Sequence, residues 1–216
     1  MEQIDTEKRE GRERIITRRL IKPRLNVHYP QVVGLKNGLV RRMINNSILD
    51  AVYDLIRLQG YVKDPAKTMT GGYQVKLHRN GLLSLLYDNY GYAQGAAHGM
   101  TYQSSQTFNL EDGSEYRLDD LFKPGSNYVD RLSDIIRREF KSRDIPMLTE
   151  FKAIDRNQSF YLTDQAVVIY FQLYEYTPYV YGFPTFEIPF HDIMDIIDPN
   201  RPIGRLLNAQ TEPAPA

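Results

Sequence analysis

Apolar and polar positions change period along this chain, and each change marks an element. Residues 12–33 read as extended: Ile15 and Thr17 alternate with Ile16 and Arg18, and Pro23 and Pro30 forbid a continuing helix. From Asn37 to Gln59 the spacing becomes helical. Val40, Ile44, Ile48, Ala51, Leu55 and Leu58 recur at steps of three and four, and Gly60 is the stop. The period returns to two at Tyr73, Val75 and Leu77, which alternate with Gln74, Lys76 and His78. Asn80-Gly81 then predicts a type I′ hairpin turn, because those residues tolerate the positive φ such a turn needs. Leu82–Tyr92 is the return strand. Met100–Phe108 predicts another, with Met100, Tyr102 and Phe108 inward and Thr101, Gln103, Ser105 and Thr107 outward.

After the Glu111-Asp112-Gly113 turn, Tyr128, Val129, Leu132, Ile135, Ile136 and Phe140 form the apolar face of a second helix, capped by Ser126 or Asn127. Strands at 159–162 and 166–174 flank a Thr-Asp-Gln turn. The run Val167 to Phe171 is apolar throughout, as in a central strand covered on both faces. Phe186–Phe190 is a short strand that Pro189 favours at an edge, and 191–197 a brief helix. The closing NAQTEPAPA predicts disorder. Few helices among runs of strands define an α+β class: antiparallel sheets, two main amphipathic helices and two intimately packed subdomains. The expected divisions are an N-terminal arm and first strand at 1–24, α+β subdomains at 25–108 and 109–198, and a disordered tail at 199–216.

Composition narrows the function more than the fold. The 216 residues are 42% hydrophobic and 25% charged, enough for a real core. Lys+Arg and Asp+Glu both number 27, which removes the basic balance that nucleic-acid binding leans on. The absence of cysteine excludes disulfides, thiolate metal sites and cysteine nucleophiles. No apolar run approaches the ~20 residues of a membrane helix, and MEQIDTEKREGRERIITRR lacks a signal-peptide core. Neither a leader nor an anchor is therefore visible. Charge is uneven despite the zero balance. Residues 157–200 contain no Lys or Arg but hold Asp164, Glu175, Glu187, Asp192, Asp195 and Asp198, a layout that can steer a basic partner.

Candidate chemistry centres on two stretches. In GYAQGAAHGMTYQ, residues 91–103, His98 shares parity with Met100 and Tyr102. It is expected to point inward with its nitrogens on backbone groups, in a structural turn with Gly95 and Gly99. Its removal would then cost about 1–3 kcal/mol. His28, His78 and His191 are scattered, so no metal-ligand spacing exists and no cofactor is implied. A hydrolase built on Ser104 or Ser105, His98 and an aspartate lacks any G-x-S-x-G elbow, and phosphate-binding glycine loops are missing. No catalytic residue is assigned. The second stretch, YEYTPYVYGFPTFEIPF at 174–190, interleaves aromatics with Pro178, Gly182 and Pro184. Tyrosine offers a flat apolar face and a hydroxyl with few rotamers to freeze, suited to sugars or proteins.

The order of these segments resembles a known module. YPQVVGLKN, Asn45-Asn46, GAAHG, TFNLEDGSEYRLDDLF and YEYTPYVYGFPTFEIPF together resemble the extracytoplasmic module of RsiV-type anti-sigma factors, shared with the accessory region of PdaC-type peptidoglycan deacetylases. The likeness spans roughly residues 25 to 198. It implies a non-catalytic α+β module outside a bacterial membrane that, in the RsiV branch, binds lysozyme. The sigma-binding segment and membrane helix of that branch are not visible, so its signalling is not carried over.

The resulting expectation is a non-catalytic envelope module that recognises a cell-wall glycan or a lysozyme-like basic protein. Its ligand surface would combine Tyr174, Tyr176, Tyr179, Tyr181 and Phe183 with Tyr92 and Tyr102 of the 91–103 region. The alternatives are a weak hydrolase centred on His98 and a non-exported structural or interaction protein.

Overall fold

The structure, a computed structural model, describes residues 13–64 and 66–211. Strands β1 (Arg14–Lys22) and β2 (Leu25–Val33) form an antiparallel hairpin, paired from Arg14 with Val33 to Lys22 with Leu25. Helix α1 (Gly38–Leu58) starts where the Asn37 side chain accepts hydrogen bonds from the N–H groups of Leu39 and Val40 at 3.0 and 3.3 Å. Its buried positions are Val40, Ile44, Ile48, Val52, Leu55 and Ile56, an i+4 stripe that leaves Leu58, expected inward, 60% exposed.

Strands β3 (Thr68–Arg79) and β4 (Leu82–Tyr92) are joined by Asn80 and Gly81, both at positive φ as the turn type requires. With β5 (Met100–Asn109) they complete a five-stranded sheet in the order β1-β2-β3-β4-β5. One pairing departs from the antiparallel expectation. β2 and β3 run parallel at Leu25–Val27 against Met69–Gly71, with α1 as their crossover. Past that short ladder, Asn45 on α1 closes the free edge of β2. Val32 N donates to Asn45 Oδ1 at 2.8 Å, and Asn45 Nδ2 donates to Val32 O at 2.9 Å. A side-chain carboxamide thus replaces the missing strand partner.

The chain forms two compact units that interleave in sequence, where a single cut near 108 was expected. Unit 1 holds the described residues up to Gln74 with Leu86–Ser104 and Phe108–Ser114, and unit 2 holds Val75–Leu85, Ser105–Thr107 and the described residues from Glu115 onward. Each of the long strands β3, β4 and β5 contributes to both.

Unit 2 contains α2 (Tyr128–Ser142) and a sheet of β6 (Phe160–Leu162), β7 (Ala166–Tyr170) and β8 (Thr185–Pro189) in that antiparallel order. Asn127 precedes α2 but makes no side-chain capping bond. Every β7 residue is buried, which accounts for its unbroken apolar run. The core joins Leu132, Ile136 and Phe140 of α2 to Ile169, Phe171, Phe186 and Ile188. Two hydroxyls lie within this framework. Ser84 Oγ accepts from Leu162 N at 2.9 Å and bonds Thr107 Oγ1 at 2.8 Å. Thr107, expected outward, is therefore only 1% exposed: it is turned in to meet a polar partner rather than water.

The tail expectation also needs correction. Pro202–Thr211 is a helix, α3, with Pro202 at its start and Ile203 and Leu206 buried. Proline is pre-organised for the first helical position, so the segment that reads as polar and breaking begins a helix. Residues 212–216 lie outside the described residues, as do 1–12 of the expected arm. Among the described residues no helix is long and apolar enough to cross a membrane.

Candidate binding site

The tyrosine-proline segment folds into a closed tip on unit 2. At its base, Phe171 N donates to Pro184 O at 3.1 Å. The chain then reverses through Tyr174, at φ 65°, and Gly182, at φ 83°. A left-handed backbone is uncommon for a residue as bulky as tyrosine, whereas glycine adopts it freely. Between them Tyr179–Tyr181 form one 3-10 turn, with Tyr181 N on Pro178 O at 2.9 Å and Gly182 N on Tyr179 O at 3.0 Å.

This fold sorts the aromatics by direction. Tyr176 turns inward: its ring lies 4.8 Å from Phe171, 5.4 Å from Phe151 and 6.0 Å from Phe140, all in edge-on contacts. Burial raises its phenol pKa above the ordinary tyrosine value, and Glu175 adds to the rise. Tyr181 is half-buried against the same core and accepts from Arg143 Nη2 at 3.2 Å. Arg143, just beyond α2, also donates to Thr185 O at 2.9 Å and covers the Phe186 ring at 5.3 Å. It therefore fastens the tip to the sheet, a role its place in the sequence did not suggest.

The outward set is smaller. Tyr174 is 46% exposed and its ring lies 5.6 Å from that of Tyr179, while Val180 at the apex is 92% exposed. Phe183 is half-buried. Val180 is not among the residues expected from sequence, because the aromatic pattern around it is the stronger signal. The signal available was an aliphatic residue set between two tyrosines in a Pro-Tyr-Val-Tyr-Gly turn.

The 91–103 stretch lies in unit 1, and so do Tyr92 and Tyr102, both half-buried. Gly95 has φ 87°. A Cβ at Gly99 would collide with the Tyr90 ring, so backbone and ring meet there as only glycine allows. His98 is exposed, and its Nδ1 pairs with Gly99 O at 2.8 Å. This overturns the inward histidine. Strand β5 begins at Met100, and parity does not propagate backward through a turn.

The acidic layout is also more balanced than it reads. Asp164 lies 3.7 Å from Arg79, Asp195 3.5 Å from Arg131 and Asp198 3.9 Å from Arg201. Such exposed pairs contribute little stability but offset the local charge. Among the described residues no group of three or more histidine or carboxylate side chains is placed to hold a metal.

Comparison with known proteins agrees on architecture. Residues 119–191, all within unit 2 and including the tip, match a family described as "Protein of unknown function (DUF3298)". A solved structure of a DUF3298 family member from Bacteroides fragilis is similar at a TM-score of 0.67 and 17% identity, covering 92% of this chain and 99% of its own. A DUF3298 family protein from Pseudomonas aeruginosa is similar at 0.63 and 16% identity, with 88% and 95% covered. At these identities the likeness is one of fold. No curated protein matches the chain.

Proposed function

We propose that the chain is a non-catalytic binding module that inserts the 174–183 tip into a groove on a protein partner. The observation that carries this reading is Val180, 92% exposed at the apex of a hydrogen-bonded turn and flanked by the Tyr174–Tyr179 ring pair. An apolar residue so exposed, on a backbone held by Arg143 and by Phe171–Pro184, is presented at small ordering cost. The shape is convex, which suits a concave protein site better than a sugar chain. The partial offset of the acidic rim by Arg79, Arg131 and Arg201 supports apolar contact as the larger source of affinity.

The partner class is a wall-active protein such as lysozyme, and the place of action is outside the cytoplasmic membrane. Both follow from the RsiV-like order of segments in the sequence. Co-sedimentation with isolated peptidoglycan, with and without added lysozyme, tests the reading. Retention that lysozyme raises, with that gain lost in a Tyr179→Ala/Val180→Ser chain, is expected. Retention that lysozyme does not raise, or none in either arm, would overturn it.

A further inference from the structure

Unit 2 also holds a cleft of about 360 Å³ with a mixed polar and apolar lining, on residues the tip does not use. Volumes of about 300–1,000 Å³ are those of small-ligand sites, so one or two sugar rings fit. Its floor is fixed. The Tyr170 hydroxyl, fully buried, donates to Ser105 Oγ at 3.0 Å, and Ser105 Oγ donates to Phe160 O at 2.5 Å. Ser105 has thus committed its proton and is held as a rigid wall rather than a nucleophile.

The rim carries paired donors and acceptors. Arg117 Nε and Nη2 both donate to Asn157 Oδ1, at 3.2 and 2.9 Å. With Oδ1 taken, Asn157 Nδ2 and Arg117 Nη1 are further donor groups at this rim. Glu115, whose Oε2 accepts from Gln106 Nε2 at 2.9 Å, supplies a carboxylate with further acceptor capacity. Ser159 adds a hydroxyl at the cleft and Tyr116 a half-buried ring. The Arg117 guanidinium also lies 3.6 Å from Asp119 Oδ1, so its charge is offset and the cleft does not favour an anion.

A vicinal diol is the chemical group that matches this set. Each of its hydroxyls can donate to a carboxylate while accepting from an amide or guanidinium N–H, and the C–H face of its ring can rest on tyrosine. We infer that this cleft binds a short neutral saccharide through Glu115, Arg117 and Asn157. The site goes beyond the tip reading and does not depend on it.

The test is amide chemical-shift titration of the isotopically labelled chain with glucose, mannose, N-acetylglucosamine and chitobiose in turn. Saturating shifts at Arg117, Asn157 and Ser159 are expected with at least one sugar. Glu115→Gln and Asn157→Ala should each weaken that titration by about tenfold or more, equivalent to about 1.4 kcal/mol. Asn157 is an exposed loop residue, so its variant keeps the fold in which to read the loss. Tyr179→Ala should leave the titration unchanged, which separates failure here from failure at the tip. Absence of a saturating shift with every sugar, or shifts that survive both cleft substitutions, would overturn the site.

Discussion

Residues 91–103 and 174–183 are both turns built from tyrosines and small residues, yet they use them in opposite ways. In the first, glycine lets the backbone close onto a ring: Gly99 sits against Tyr90, and the histidine beside it faces water. In the second, the backbone bends so that rings divide. Tyr176 enters an aromatic core, Tyr181 is fastened by Arg143, half-buried Tyr179 backs Tyr174, and Tyr174 and Val180 are displayed. The difference teaches that a tyrosine-glycine turn is not by itself a binding surface. Display needs a frame that holds some rings so that others can be left out.

The sharpest way to break the comparison is to remove the frame. Tyr176→Ala should cost about 2–4 kcal/mol by emptying an aromatic cluster, measured by denaturant unfolding. Gly99→Ala should cost about 1–2 kcal/mol, and adding Tyr90→Ala should recover most of it, because the clash is with a movable ring. Near-additive losses in that double variant would contradict the assigned contact. At the tip, Tyr179→Ala and Val180→Ser should each change stability by less than about 0.5 kcal/mol while weakening lysozyme binding by about tenfold, read by calorimetry.

Alkaline titration gives a subtler contrast. The Tyr176 phenol, raised by burial and by Glu175, stays protonated in the folded chain where the unfolded chain has already ionised. More protons are bound by the native state in that window. The contribution is therefore whole below about pH 10 and is lost as pH rises through the folded value. Unfolding midpoints across that range should fall less steeply in Tyr176→Phe than in the natural chain. The smallest effect belongs to His98→Ala, which should leave stability within about 0.5 kcal/mol; a larger loss would restore a structural histidine.

Long periodic segments were legible from sequence for a physical reason: burial of one face repeats over many residues. The α1 stripe carries that signal, while the Asn80-Gly81 hairpin was legible from its turn residues and β7 from an unbroken apolar run, and the α+β class follows from the three. Three of the readings that failed depended on single residues near element ends. His98 failed because strand parity stops at Gly99, Thr107 because a hydroxyl partner drew it inward, and α3 because Pro202 starts a helix as readily as it ends one. At the candidate site the segment was legible but its sorting was not. Which tyrosine faces in depends on Phe151, Phe171 and Arg143, whose approach is set by the tertiary fold.

The most direct measurement is a hydrogen-exchange footprint of the chain with and without lysozyme. Added protection at residues 174–183, with 91–103 unchanged, is the predicted result. Protection centred on 91–103, or no difference anywhere along the chain, would contradict the assignment of display to one turn and packing to the other.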